Sequence, residues 1–236
     1  MLFRSEIIFH FGAGCSIVTD GSLQLLPSPF MVGLLNRPVT FFSKERLEII
    51  GIRCFPWTVF DLLGLPSGKN SVHVFKHPVA QLHAGLQALL AAGEIEQALH
   101  LAVKYFTDAR LNVAAGSMLA KAGVAMRTAN GTMPVSEVAA AAHATVRTLE
   151  RNFKQSSGYT VKDVSALMRF EQARNRLWHF PDTNLAGLAH ELGYTDQAHL
   201  SKEFKRYTGT TPAAFARNAK KGKPVLGDDF VAFIQS

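Results

Sequence analysis

Two clusters of side chains are spaced to hydrogen-bond an extended anionic partner. Arg147, Arg151 and Lys154 follow one another at intervals of four and three residues. Ala198, Lys202 and Lys205 repeat those intervals, with Gln197, His199 and Arg206 beside them. At roughly 100° per residue such intervals keep side chains on one face of a helix, and Leu149/Phe153 and Leu200/Phe204 fall on the opposite face. A guanidinium can donate two bonds to a guanine edge, glutamine can pair with adenine, and glutamate can accept from cytosine. The expected base contacts are therefore Arg147, Glu150 and Arg151 in the first cluster and Gln197, Ala198, His199 and Lys202 in the second. Ala198 offers only apolar contact, suited to a thymine methyl, and Gln197 is expected nearer the buried edge at the helix start. Lys154, Lys205 and Arg206, with Thr145 and Asp196 at the helix starts, are assigned to the phosphate backbone, which positions a protein without specifying sequence.

The elements that must hold these groups are a duplicated unit. "LERNFKQSSGYTV" (149–161) and "LSKEFKRYTGTTP" (200–212) match at Leu, Phe, Lys, Gly and Thr with a constant offset of 51 residues. An N-cap residue precedes each leucine by four positions, Thr145 in one copy and Asp196 in the other. Short helices, "SEVAAAA" and "LAGLAHEL", lie upstream of each cap. The connecting turn is one residue longer in the second copy, where Gly193 tolerates positive φ. Each copy thus reads as helix, tight turn, helix. Between them "VKDVSALMRFEQARNRLW" carries an apolar stripe through Val164, Leu167, Met168 and Leu177. Its 18 residues would span about 27 Å as a helix, enough to hold two reading heads about 34 Å apart, one turn of DNA.

Residues 136–217 resemble the two-headed helix-turn-helix domain of the AraC/XylS family of bacterial transcription regulators. The likeness rests on "VSEVAAAAHATVRTLERNFKQSSGYTV" and most specifically on "LAGLAHELGYTDQAHLSKEFKRYTGTTPAAF". Gly193, Tyr194, Phe204, Lys205, Gly209, Pro212 and Phe215 match the family's closing pattern. Two positions depart from it: His143 stands where glycine is usual, and Val161 where proline is common. The resemblance implies a sequence-specific regulator bound to double-stranded DNA in the cytoplasm. RNA polymerase, an unidentified small-molecule effector and a second copy of the chain are further candidate partners.

The rest of the chain fits an α+β protein. In residues 1–75 short apolar runs ("EIIFHF", "SLQLL", "FMVGLL", "VTFFS", "LEIIGIRCF") alternate with Gly, Pro, Asn and Asp punctuation, predicting a small antiparallel β domain. It resembles, more distantly, a short β sensor domain of the same family, for which further strands before "SEIIFHF" are expected, so the domain reads as incomplete. A short helix, "PWTVFDLLG", closes it, with Pro56 in its first turn and Gly64 past its end. Residues 76–133 predict a helical linker, with Gly93 as a break and a third helix near 112–127. Its leucine-rich face reads as packing, with dimerisation as the alternative. Residues 134–218 form the all-α double helix-turn-helix (homeodomain-like) domain, and 219–236 a tail that begins as a basic link and ends as a docked or frayed segment.

Net charge is +7, yet residues 1–135 and 136–218 each hold 11 Lys/Arg against 8 Asp/Glu. The positive excess therefore singles out neither region, and the argument for a nucleic acid rests on where the charges face. Cys15 and Cys54 read as inert buried thiols. His10, His73, His77, His83 and His100 lack metal-ligand spacing. The "GAG" at 12–14 lacks the spacing and the following helix of a phosphate loop. No Ser/His/Asp set can be assembled, so neither catalytic residue, metal nor cofactor is expected, and no run is long and apolar enough to span a membrane. Two other readings remain: a DNA-associated regulator whose N-terminal part serves assembly only, and a β-sandwich enzyme with a helical appendage.

Overall fold

A computed structural model describes residues 4–12, 14–19, 21–35, 39–69, 72–111, 116–221 and 231–235. The N-terminal strands are β1 (Ser5–Gly12), β2 (Cys15–Thr19), β3 (Ser22–Leu26), β4 (Phe30–Val32), β5 (Val39–Ser43), β6 (Leu47–Cys54) and β7 (Val72–His73). Helices follow as α1 (Pro56–Leu63), α2 (Leu82–Ala91), α3 (Ile95–Leu111), α4 (Met118–Thr128), α5 (Val135–Ala141), α6 (Val146–Ser157), α7 (Val161–His179), α8 (Leu185–Glu191), α9 (Gln197–Thr208) and α10 (Pro212–Lys220). A last strand, β8 (Val231–Gln235), lies in the tail.

One sheet has the order β6-β1-β4-β7 and the other β3-β2-β5-β8. Pairings among β1–β7 are antiparallel, with Ile7 opposite Ile52 and Met31. The tail strand adds a parallel pair, Val39 opposite Val231. Parallel neighbours need a long crossover, and here the intervening chain includes every helix from α1 to α10. Strand β2 is absent from the apolar runs predicted from the sequence, because its apolar centre is only Ile17 and Val18. The third linker helix starts at Met118, later than expected; residues 112–115 of that expectation lie outside the described residues.

Alternation along β1 divides the core. Ile7, Phe9 and Phe11 face a cluster with Val59 and Leu63 of α1, Leu86 of α2 and Ala98 and Ala102 of α3. Ile8 faces the other way, into a cluster with Phe30, Phe41 and Trp57 that continues without interruption to Leu149, Phe170, Phe204 and Phe215. Period two makes one strand serve two cores. The second core joins the β region to the C-terminal helices. Burying each of these large apolar side chains contributes roughly 1.5–3 kcal/mol.

The join is made at the first helix-turn-helix unit. The Trp57 ring lies 5.8 Å from the Phe153 ring of α6. Ser67, in the loop after α1, donates its backbone N–H (2.8 Å) and its hydroxyl (3.2 Å) to the Ser156 carbonyl, in the last turn of α6. The Tyr159 hydroxyl donates to the Leu34 carbonyl at 3.2 Å. Gly158 permits this approach: a Cβ there would lie 2.7 Å from the Lys69 nitrogen, and its φ is +75°.

The isolated polar residues behave as structural groups. His10 bonds the Leu26 carbonyl through Nε2, and His83 the His10 carbonyl. The His77 Nδ1 accepts from the Val79 N–H. Cys15 and Cys54 are free thiols, and burial pushes both up, Cys15 to about 11. Among the described residues no group of three His, Cys, Asp or Glu could hold a metal ion, and no helix is long and apolar enough to cross a membrane.

Candidate nucleic-acid interface

In the first unit α5 leads through Ala142–Ala144 to α6. The Thr145 side chain caps α6 by accepting from the Thr148 N–H at 3.1 Å, satisfying a donor the helix cannot. In the second unit Asp196 caps α9, accepting from the His199 N–H at 2.7 Å. Both turns close with the same five-residue bond, Ala144 N–H to the Ala139 carbonyl and Tyr194 N–H to the Ala189 carbonyl, each at 2.9 Å. Each contains one residue at positive φ: Gly193 at +69° and, in the first copy, His143 at +52°. The departure at His143 therefore leaves the turn intact but puts a side chain where glycine is preferred. The second helix of each unit, α6 and α9, ends at a left-handed glycine, Gly158 and Gly209.

The two spines are sealed. Leu149, Phe153, Leu200 and Phe204 are fully buried. On the other side Arg147, Arg151, Lys154, Gln197, Ala198, His199, Lys202, Lys205 and Arg206 are all exposed, as are the caps Thr145 and Asp196. Gln197 lies open rather than near the buried edge. Two of the base-contact candidates also have bonds inside the domain. Glu150 is half-buried, and its Oε2 accepts from the Val161 N–H at 3.2 Å. Val161 is the first residue of α7 and aligns with Pro212, the first of α10. Proline has no N–H to satisfy at that position; valine has one, and Glu150 satisfies it. His199 stacks edge-on against Tyr194, with Nε2 3.9 Å from Glu203.

The strut α7 grips both heads. It starts with a reciprocal capping box between Thr160 and Asp163. Its Phe170 meets Phe204 of α9 edge-on at 5.1 Å and Tyr207 at 4.7 Å. Arg176 pairs with Glu191 of α8 at 2.8 Å. Arg169 donates to the Gly131 carbonyl at 2.8 Å, just ahead of the first unit, and lies 3.9 Å from Glu203 in the second. Glu203 also accepts from the Tyr194 hydroxyl at 3.0 Å. Burial and the neighbouring Glu203 charge raise the Tyr194 pKa far above the ordinary tyrosine range, so its hydroxyl stays a donor. Burial, then Glu203, pushes Tyr207 up to about 12. This Arg169–Glu203–Tyr194 group was missed in the sequence. Its signal was a glutamate inside the apolar Leu200/Phe204 register, where an uncompensated charge would be costly.

Residues 138–218 match the family described as a helix-turn-helix domain. The HTH-type transcriptional regulator RipA of Corynebacterium diphtheriae is 33% identical over 82 residues, covering 35% of this chain and 24% of that protein. The HTH-type transcriptional activator RhaS of Pectobacterium carotovorum is 31% identical over 74 residues, covering 31% of this chain and 26% of that protein. The chain thus spans about a quarter of the length of these curated relatives. Among solved structures, the DNA-binding domain of AdpA in complex with a target DNA is 24% identical, covers 46% of this chain and 99% of that one, and has a TM-score of 0.41. ToxT from Vibrio cholerae is 8% identical and covers 92% and 90%, with a TM-score of 0.47.

Proposed function

We propose that residues 138–218, which match a helix-turn-helix family, form an AraC-type double helix-turn-helix domain, and that the protein is a sequence-specific DNA-binding transcriptional regulator. Helices α6 and α9 enter successive major-groove segments. The observation that carries this reading is the pair of capped helices whose Leu/Phe spines are buried while their cationic faces are open. Arg147, Arg151, Gln197, His199 and Lys202 read base edges, Ala198 offers apolar contact, and Glu150 contributes with the oxygen that Val161 leaves free. Thr145, Lys154, Asp196, Lys205 and Arg206 lie along the phosphates. The role is regulatory and non-catalytic, and it is exercised in the cytoplasm. Ile95, Leu99 and Val103 form an exposed apolar stripe on α3 that supports a homodimer. RNA polymerase is the partner through which a bound regulator would act.

Selection of duplexes from a random pool by the intact chain tests the proposal. A bipartite site with half-sites about 10 base pairs apart is expected. Log affinity should fall linearly with log salt, because phosphate contacts release counterions. Arg151→Ala should cost about 1–3 kcal/mol and relax one base position. Unchanged binding after the joint replacement of Arg151 and Lys202 by Ala would sink the two-headed reading.

A further inference from the structure

Next to the first reading helix lies a cleft that the DNA-reading surfaces do not use. Its volume is about 560 Å³, and it opens between α1, α3 and α4, outside both sheets. That size is ordinary for a small-molecule site. One wall is a slab of two rings, Phe55 and Trp57, stacked 4.8 Å apart at an interplanar angle of 7°. Leu62 and Val124 add apolar surface. Asp61 also lines the cleft, but its carboxylate accepts the Ser117 hydroxyl. Two cations remain, Arg110 from α3 and Arg127 from α4. Neither forms an ion pair with a carboxylate among the described residues; the Arg127 guanidinium instead lies 4.6 Å from the Phe55 ring centre.

We infer that this cleft is a binding site for a compact apolar anion, a ring-bearing molecule with one carboxylate, whose occupancy is transmitted to α6 through Trp57. The Phe55 ring is stacked on Trp57 and also carries the Arg4 guanidinium 3.5 Å from its centre, so the ligand ring would lie along the edges of the slab and against Leu62 and Val124. The carboxylate would take the guanidiniums of Arg110 and Arg127, which suit planar two-point recognition. The link to α6 is short. Trp57 lines the cleft and also lies against Phe153, the buried spine of α6. It has no room to retreat towards α4, because its indole packs directly on Gly123, where a Cβ would come within 2.4 Å. A ligand that shifts the slab therefore acts on the reading helix by one contact.

The transmission half rests on the proposed DNA-binding role; the binding half does not, so the two are measured separately. Calorimetric titration of the intact chain, without DNA, with 2-naphthoate and cyclohexanecarboxylate, each beside its neutral amide, reads the site. Saturable binding of an acid is expected, at least tenfold tighter than its amide, with that preference lost in Arg110→Gln/Arg127→Gln. Both arginines are exposed, so the variant keeps its core, and the acid-against-amide comparison needs no variant at all. Absence of saturable binding by both acids, equal binding of acid and amide, or an undiminished preference in the double variant overturns the site. Fluorescence anisotropy with the selected duplex reads the transmission. Saturating acid should change duplex affinity by about five- to a hundredfold, the usual range of coupling between sites. Ligand binding with unchanged duplex affinity overturns the transmission and leaves the site standing. Failure of the chain to bind any duplex in the absence of acid overturns the DNA reading and leaves the calorimetric result intact.

Discussion

His143 shows how much one residue can be asked to tolerate. Its φ of +52° is the conformation that Gly193 adopts freely in the second copy. A non-glycine residue in that region costs roughly 1–2 kcal/mol, while glycine adds freedom to the unfolded chain worth roughly 0.4–1 kcal/mol. His143→Gly should therefore stabilise the protein by about 0.5–1 kcal/mol, a rise in Tm of about 1–4 °C for a chain of this size. Thermal unfolding followed by circular dichroism checks it, and a lower Tm would mean that the imidazole makes a compensating contact. At this scale the sequence was most informative. Capping by Thr145 and Asp196 follows from residue type and position, and so does burial of Leu149, Phe153, Leu200 and Phe204. The carboxylate of Glu150 was harder to place, because its partner is a backbone N–H eleven residues away that only the missing proline exposes.

Among the elements, the strut decides how the heads stand. Arg169 and Glu203 are both mostly buried, with side-chain exposures of 17% and 13%, so removing either leaves the other short of a partner. Glu203→Ala should cost about 1–3 kcal/mol and, on the proposed DNA-binding role, weaken contacts at the half-site assigned to α9 more than at the half-site assigned to α6. Glu203→Gln keeps an acceptor for the Tyr194 hydroxyl and should recover part of the loss. Equal stability of the alanine variant and the parent, by urea denaturation, would show that the group is dispensable. The helices and their repeat could be read from periodicity, since amphipathic spacing is local. Strand β2 and the pairing of β8 with β5 could not. Strand partners are chosen by which edge is free, and a five-residue segment at the far end of the chain carries no local sign of it.

For the molecule as a whole, the decisive fact is that the second hydrophobic core runs from Ile8 to Phe215 without a break. Nothing in periodicity or composition announced it: "PWTVF" reads equally well as the closing helix of an independent β domain. A shared core predicts one unfolding event. Far-UV circular dichroism and tryptophan fluorescence should give coincident transitions, and Trp57→Ala should lower stability by about 3–5 kcal/mol. With Trp178 of α7 then the remaining indole, its signal tracks the C-terminal helical half. Two separated transitions in the parent chain would show instead that the halves fold alone. Ser67 donates two hydrogen bonds to the Ser156 carbonyl, one from its backbone N–H and one from its hydroxyl. Its amide proton is sealed for as long as the halves stay clasped. Deuterium uptake at that one position is therefore a clock for their parting, and bound duplex or bound acid should visibly change its rate if either loosens or tightens the clasp.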